Sequence, residues 1–346
     1  MRILPWYIIV LLAAALADTT GAGDATMRAA VVSSGRIQIR DVARPVAGPG
    51  QVLVKIRYAG VNPGDWKAAA GSSDDAATAD RLTAGAGSGN TDASASPIPG
   101  VDGAGVIAAV GGGVAGYKIG DAVIVWSQAR GTYAQYVAVP TDTITLKPDS
   151  LSFAEAAGVA HAGLAAWNLL IDRAKVRPGQ TVLVVGGAGG VGSAAVQIAR
   201  NRGAQVIATA SAHNAGYLKA LGAATVIDYS AQHVEDQLRN IDIALDTVDI
   251  DNAYRALAVV RRGGYLVSTV GLPLAAQCAA RGVICSSLTL TGTPPRLALK
   301  QIADWSLAGI FKVNIDRTFE LTQVLEAWQY SQAGHTRGKS VIRISD

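Results

Sequence analysis

The segment Val184-Val185-Gly186-Gly187-Ala188-Gly189-Gly190-Val191-Gly192 constrains this chain more than any other. It carries G-x-G-x-x-G spacing at Gly187, Gly189 and Gly192, directly after the apolar run Thr181–Val185 and directly before Ser193–Arg202, which reads as a helix. Gly187 permits a tight turn, Gly189 lets the backbone approach a pyrophosphate, and Gly192 allows close packing of helix on strand. The start of the helix then offers unpaired N–H groups and the positive end of its dipole. Gly187, Ala188, Gly189, Gly190, Val191 and Gly192 are therefore candidate cofactor-binding residues. A glycine-rich turn alone carries no ligand, but the flanking strand and helix and the repeats that follow point to a bound dinucleotide.

Those repeats alternate strand and helix. Val206–Ala210, Ala224–Ile227, Ile241–Leu245, Tyr265–Val270 and Ser287–Thr291 read as strands, and Tyr217–Leu221 closes a helix that Gly222 stops. Such alternation implies a parallel sheet covered by helices on both faces. The earlier part of the chain is mainly β: Gln51–Arg57 alternates apolar and polar at period two, and Val106–Val110 and Ala122–Val125 are further strand-like runs. Ser340–Ile344 reads as a closing strand that returns to this β-rich domain. The expected division of this α/β chain is 27–150 for the β-rich domain, 151–294 for the dinucleotide domain and 295–346 for the return. Gly71–Pro97 is almost entirely Gly, Ala, Ser, Thr and Asp, and is expected to be a mobile surface loop.

Which dinucleotide binds depends on the end of the second strand, about 20 residues beyond the glycines, where an NAD enzyme places an acid for the ribose hydroxyl. Here the residues are Ala210-Ser211-Ala212-His213-Asn214, with no acid among them. Ser211 and Asn214 can donate to a 2′-phosphate, and His213 adds charge when protonated. The pattern favours NADPH, with Ser211 and His213 as candidate binding residues; an exposed loop histidine is the plainer account of His213.

Composition removes several other classes. A chain of 346 residues, 50% hydrophobic and 16% charged, can bury two ordinary cores and is neither disordered nor a coat for nucleic acid. The net charge of +4 comes with no dense basic cluster. Cys278 and Cys285 are the only cysteines; with four scattered histidines they make no convincing zinc site, and they read as buried free thiols rather than as a disulfide. No GxSxG, CxxC or HExxH occurs, which leaves hydrolase and zinc-protease readings without support. His161, on an apolar segment joining the domains, reads as a satisfied, partly buried histidine rather than a base. The first 26 residues allow two readings. Arg2, the apolar run Ile3–Ala17 and its small-residue end have the form of a secretory signal, which would make the protein an exported one. Alternatively Met27 is the working start and the protein is cytoplasmic.

Five segments in order carry a family resemblance: Gly60-Val61-Asn62-Pro63-Gly64-Asp65-Trp66-Lys67, Pro99–Gly105, Gly131-Thr132-Tyr133-Ala134-Gln135-Tyr136, Ala188–Gln197, and Gly334-His335-Thr336-Arg337-Gly338-Lys339. Through them the chain resembles the zinc-independent quinone oxidoreductase (zeta-crystallin-like) branch of the medium-chain dehydrogenase/reductase superfamily, from about Met27 to the C-terminus. The resemblance implies a GroES-like catalytic domain interrupted by a Rossmann domain, with the active site between them. Zinc-dependent relatives carry a cysteine and a histidine where this chain has Asn62–Asp65 and Val101-Asp102, so no metal is expected. It implies hydride transfer to quinones or α,β-unsaturated carbonyls, with enoyl thioester or enone reduction as a second reading; a dinucleotide-binding protein with little turnover is the alternative outside catalysis. It also implies a homodimer, which the residues themselves do not give. Asn62 matches a position near the nicotinamide, where its amide can donate or can merely pin the turn before Pro63. Lys67 stands where many members have tyrosine and is a candidate to polarise substrate oxygen, the alternative being a solvated lysine. Tyr229 matches a tyrosine lying against the cofactor, and Lys339 a position near the cofactor cleft.

Overall fold

A computed structural model of the chain describes residues 26–33, 36–69 and 97–346. Residues 1–25, on which the signal reading falls, and nearly all of the Gly71–Pro97 segment lie outside the described residues. β1 (Thr26–Ser33) and β2 (Arg36–Ala43) form an antiparallel pair. β3 (Gln51–Gly60), α1 (Pro63–Ala69), β4 (Asp102–Val110), β5 (Ala122–Trp126), β6 (Tyr136–Pro140) and β7 (Ile144–Leu146) follow. Helix α2 (Phe153–Trp167) leads out of this region. Its start is legible in Ser152-x-x-Glu155: the Ser152 hydroxyl accepts from the Glu155 N–H at 3.2 Å, and the Glu155 carboxylate accepts from the Ser152 N–H at 2.8 Å.

The second unit runs β8 (Thr181–Val185), α3 (Gly190–Asn201), β9 (Gln205–Ala210), α4 (Ala215–Leu221), β10 (Thr225–Asp228) and α5 (Val234–Gln237). It continues through β11 (Ile241–Asp246), α6 (Ile250–Val259), β12 (Val260–Ser268), α7 (Ala275–Arg281) and β13 (Ile284–Ser287). All its strand pairs are parallel, in the order β10-β9-β8-β11-β12-β13. This is the Rossmann arrangement, whose chain reverses direction across the sheet between β8 and β11 and opens a ligand crevice at the carboxyl ends of those strands. Val182, Leu183 and Val184 are fully buried on consecutive positions, as a strand covered on both faces requires.

After α8 (Pro295–Leu307), β14 (Ile315–Glu320), α9 (Val324–Gln332) and β15 (Lys339–Arg343), the chain has returned to the first sheet. That sheet has the order β14-β15-β3-β4-β5-β7, with β6 also paired to β3. Helix α2 packs on the first sheet and against helix α3 of the second unit. Its buried face belongs to one continuous core that includes Ala104, Ile124 and Trp126 from the first sheet and Val182, Val184 and Ile243 from the second.

Two expectations are corrected. Cys278 and Cys285 are not free thiols: they form a disulfide, because the turn after α7 folds β13 back along the helix and brings the two Cα atoms to 6.2 Å. Ser287–Thr291 is not a strand, since β13 ends at Ser287 and Leu290 has a left-handed φ of 50°. The backbone there bonds to a side chain instead: Asn168 donates to the Thr291 carbonyl at 2.8 Å and accepts from the Thr289 N–H at 3.4 Å. Among the described residues no helix is long and apolar enough to cross a membrane.

Candidate active site

The glycine-rich turn is shaped by two threonines from neighbouring strands. The Gly186 N–H donates to the Thr209 hydroxyl at 3.1 Å, the Gly187 N–H to the Thr209 carbonyl at 2.9 Å, and the Thr247 hydroxyl to the Val185 carbonyl at 2.8 Å. Gly192 has no room for a side chain, since a Cβ there would lie 2.1 Å from the Gly186 carbonyl oxygen. Helix α3 begins at Gly190 with Gly189 as its N-cap and no side-chain cap, so its first N–H groups are left for an external acceptor. At Gly189 an added Cβ would meet only the Gly186 carbonyl oxygen, at 3.6 Å, which leaves space above the turn. These features fit a pyrophosphate.

At the end of β9, Ser211 is partly exposed and His213 exposed. The Ser211 hydroxyl accepts from the Asn214 amide at 3.2 Å, and the Asn214 carbonyl oxygen accepts from Arg337 Nε at 2.7 Å. The Arg337 guanidinium lies 5.7 Å from the Tyr217 ring centre, and one terminal nitrogen reaches only the His213 carbonyl, at 3.4 Å. Arg337 received no role from the sequence, although it stands in the Gly334–Lys339 segment that carries the resemblance. Its placement beside Ser211 comes from a chain reversal that no local pattern announces. Tyr229 is 52% exposed just beyond β10, its N–H directed at the Ala210 carbonyl at 3.4 Å. Asp228, opposite Ala210 in the strand register, is turned onto Ser230, whose hydroxyl donates to it at 2.6 Å and holds its carboxyl below the usual range.

Lys339 joins the two halves. Gly338, the preceding residue, forms a parallel bridge to Gly189 and donates its N–H to the Ala188 carbonyl at 2.8 Å. The Lys339 ammonium is buried and donates to the Val61 carbonyl at 2.8 Å and to Asn62 Oδ1 at 2.5 Å. Asn62 Nδ2 donates in turn to Asp102 Oδ1 at 2.7 Å. The Asn62 amide is thus fully engaged within the protein, which is its turn-pinning role extended to Lys339 and Asp102. One turn along α1, Asp65 accepts from the Asn62 N–H and from the Tyr133 hydroxyl, both at 3.0 Å, and faces Arg130 at 3.5 Å. Burial, reinforced by Asp102, raises the Asp65 carboxyl to about 6, with Arg130 opposing; Tyr133 is pushed well above 10, by burial first and then by Asp65.

Lys67 is not brought into this group. It lies two residues after Asp65, which on a helix is about 200° round the axis. It is exposed, with its ammonium 5.5 Å from the Trp66 ring centre. Asp65, Asp102 and Tyr133 stand in segments that carry the resemblance and Arg130 directly precedes one, but local sequence gives none of them a role. Their polar residue types were the available signal, and only the fold buries them and places them together. His161 is partly buried as expected but not satisfied. Its backbone N–H donates to Asp102 Oδ2 at 3.2 Å, while ring Nδ1 is sealed from solvent without a partner.

Comparison with known proteins agrees with this geometry. Residues 48–149 match the alcohol dehydrogenase GroES-like domain and residues 221–342 the zinc-binding dehydrogenase family. A 2-methylene-furan-3-one reductase from Solanum lycopersicum is 33% identical over 314 residues, covering 87% of this chain and 74% of that one. The chain belongs to the quinone oxidoreductase branch of the medium-chain dehydrogenase/reductase superfamily. A chloroplastic NADPH-dependent alkenal/one oxidoreductase from Arabidopsis thaliana is 29% identical with the same coverage of each chain. The solved quinone oxidoreductase of Coxiella burnetii superposes with a TM-score of 0.81 at 27% identity, covering 93% of this chain and all of that one.

Proposed function

We propose that the protein is an NADPH-dependent reductase of quinones and α,β-unsaturated carbonyl compounds that works without zinc. The observation that carries this reading is the Gly338–Lys339 link, which ties the dinucleotide turn to the buried Asn62–Asp102–Asp65 group across the domain boundary. Gly187 to Gly192 would hold the pyrophosphate, and Ser211, Asn214 and Arg337 the 2′-phosphate, with His213 and Tyr229 flanking it. Reduced nicotinamide supplies the hydride. The chain's own residues orient it and provide the electrostatics: Lys339 and Arg130 offer positive charge where negative charge develops on a substrate oxygen. Asn62 is assigned to holding Lys339 rather than to touching substrate, and Lys67 to the rim. The zinc-free assignment rests on residue types, for Asn62, Pro63 and Val101 supply no thiolate or imidazole. Among the described residues no group of three or more His, Cys, Asp or Glu is arranged to hold a metal.

The relatives' substrates support the choice of conjugated carbonyls. NADPH consumption against a panel of 1,4-quinones, enones and 2-enoyl thioesters, with and without chelator, tests it. Turnover with the first two and indifference to chelator are expected. A protein that binds NADPH tightly but consumes none would refute the enzyme reading, and loss of activity to chelator would refute the zinc-free one.

A further inference from the structure

His161 has chemistry that the reading above leaves unused. It sits on α2 one turn after Gly158, where an added Cβ would meet Ile315 at 3.1 Å, Val313 at 3.2 Å and Lys339 at 3.3 Å, so this stretch of helix packs against β14 and the start of β15, which carries Lys339. Its backbone N–H is tied to Asp102 Oδ2 at 3.2 Å. The neighbours Ala160 and Ala162 are buried, yet His161 itself is partly exposed, and the exposure therefore belongs to the ring. With Nδ1 sealed and unpartnered, the exposed nitrogen is Nε2.

The charge state follows from the surroundings. Burial lowers the imidazole to about 4, with Lys339 and Arg130 acting in the same direction and Asp102 against it. The ring is neutral at ordinary pH and carries one N–H. A proton on Nδ1 would be a buried donor with no acceptor, which costs more than a bare lone pair in the same place. The proton therefore belongs on Nε2, and the ring presents a neutral donor outward.

We propose that the Nε2–H of His161 is the hydrogen-bond donor that receives the carbonyl oxygen of a conjugated carbonyl substrate during its reduction. The inference rests on the reductase reading. Hydride from a reduced nicotinamide forms the new C–H bond at the β-carbon. The C=C π pair moves to the α-carbon and carbonyl, leaving an enolate. The α-carbon then takes a proton from solvent, completing a two-electron reduction of the substrate and oxidation of the nicotinamide. His161 keeps its proton throughout and stabilises the enolate oxygen, with Lys339 and Arg130 adding positive field. A donor placed for oxygen selects alkenes conjugated to a carbonyl over unactivated ones.

The test uses the full chain with NADPH and a simple enone. His161→Leu should lower kcat about 100- to 1,000-fold, the usual effect of losing one oxyanion donor, and leave the NADPH Kd within about two-fold. His161→Gln, which keeps an N–H close to the position of Nε2, should stay within about ten-fold of the wild type. Nitrogen NMR of the wild-type imidazole near neutral pH should find the proton on Nε2, a measurement that decides the matter even if a variant does not fold. A Leu variant as fast as the wild type, a Gln variant no better than Leu, or a proton found on Nδ1 overturns the inference alone. A wild type that binds NADPH and reduces no enone or quinone overturns the reductase reading and this inference with it.

Discussion

Arg337 offers the sharpest test of the proposal that the chain prefers NADPH to NADH. Its Nε is held by Asn214 at 2.7 Å and its plane lies near the Tyr217 ring, so the guanidinium is oriented before any ligand arrives. The terminal nitrogens are only weakly engaged, the one bond between them and the protein being 3.4 Å long, and they stand beside Ser211. A hydrogen bond to a charged group contributes about 1.5–3 kcal/mol, so replacing Arg337 by Gln should weaken NADPH about 10- to 150-fold. NADH has no phosphate at that position and its Kd should stay within about two-fold. Ser211→Asp should act the same way through like-charge repulsion, at a cost of about 2–3 kcal/mol for NADPH, while NADH holds or improves by gaining a ribose bond. Arg337→Lys should fall between Gln and the wild type, because an ammonium keeps the charge and loses the fork. Quenching of intrinsic fluorescence, titrated with each dinucleotide, reads both constants. Equal weakening of NADPH and NADH in Arg337→Gln would show that the side chain merely braces the Asn214 turn, and the phosphate assignment would fall.

Gly192→Ala should fail for a different reason. The added methyl meets backbone, the Gly186 oxygen at 2.1 Å, and cannot be relieved by a rotamer change, so both dinucleotides should be lost together and the melting temperature should drop; retained binding of either would contradict the packing described. Asp246→Asn should be pH-dependent. Burial raises the Asp246 carboxyl from 3.8 to about 6, with Ser268 and the Val248 N–H opposing, so the folded state holds this proton more tightly than the unfolded chain does. The wild-type contribution is therefore full below about pH 4 and is lost as pH rises to about 6. The Asn variant should gain on the wild type by up to about 3 kcal/mol between those limits. Denaturant unfolding at pH 4 and pH 7 checks this, and a variant effect equal at both would refute it.

How much of this was legible beforehand follows from the range of the contacts involved. The dinucleotide turn was readable because a strand, three glycines and a helix start lie within a dozen residues and each glycine has a local reason. The same holds for the Ser152–Glu155 cap and for the absence of an acid after β9. Residue type alone also shows that Asn62–Asp65 carries neither the cysteine nor the histidine of zinc-dependent relatives. The Cys278–Cys285 pairing is not legible in the sequence, because it depends on the turn between α7 and β13 and not on the spacing of the two residues. The candidate group around Lys339 belongs to tertiary structure. Lys339 meets Asn62 across 277 positions, Asn62 meets Asp102 across 40, and Arg337 meets Asn214 across 123. Contacts of that range leave no periodicity in the sequence. A buried carboxylate, amide and ammonium gain meaning only when the fold removes water and makes them one another's partners.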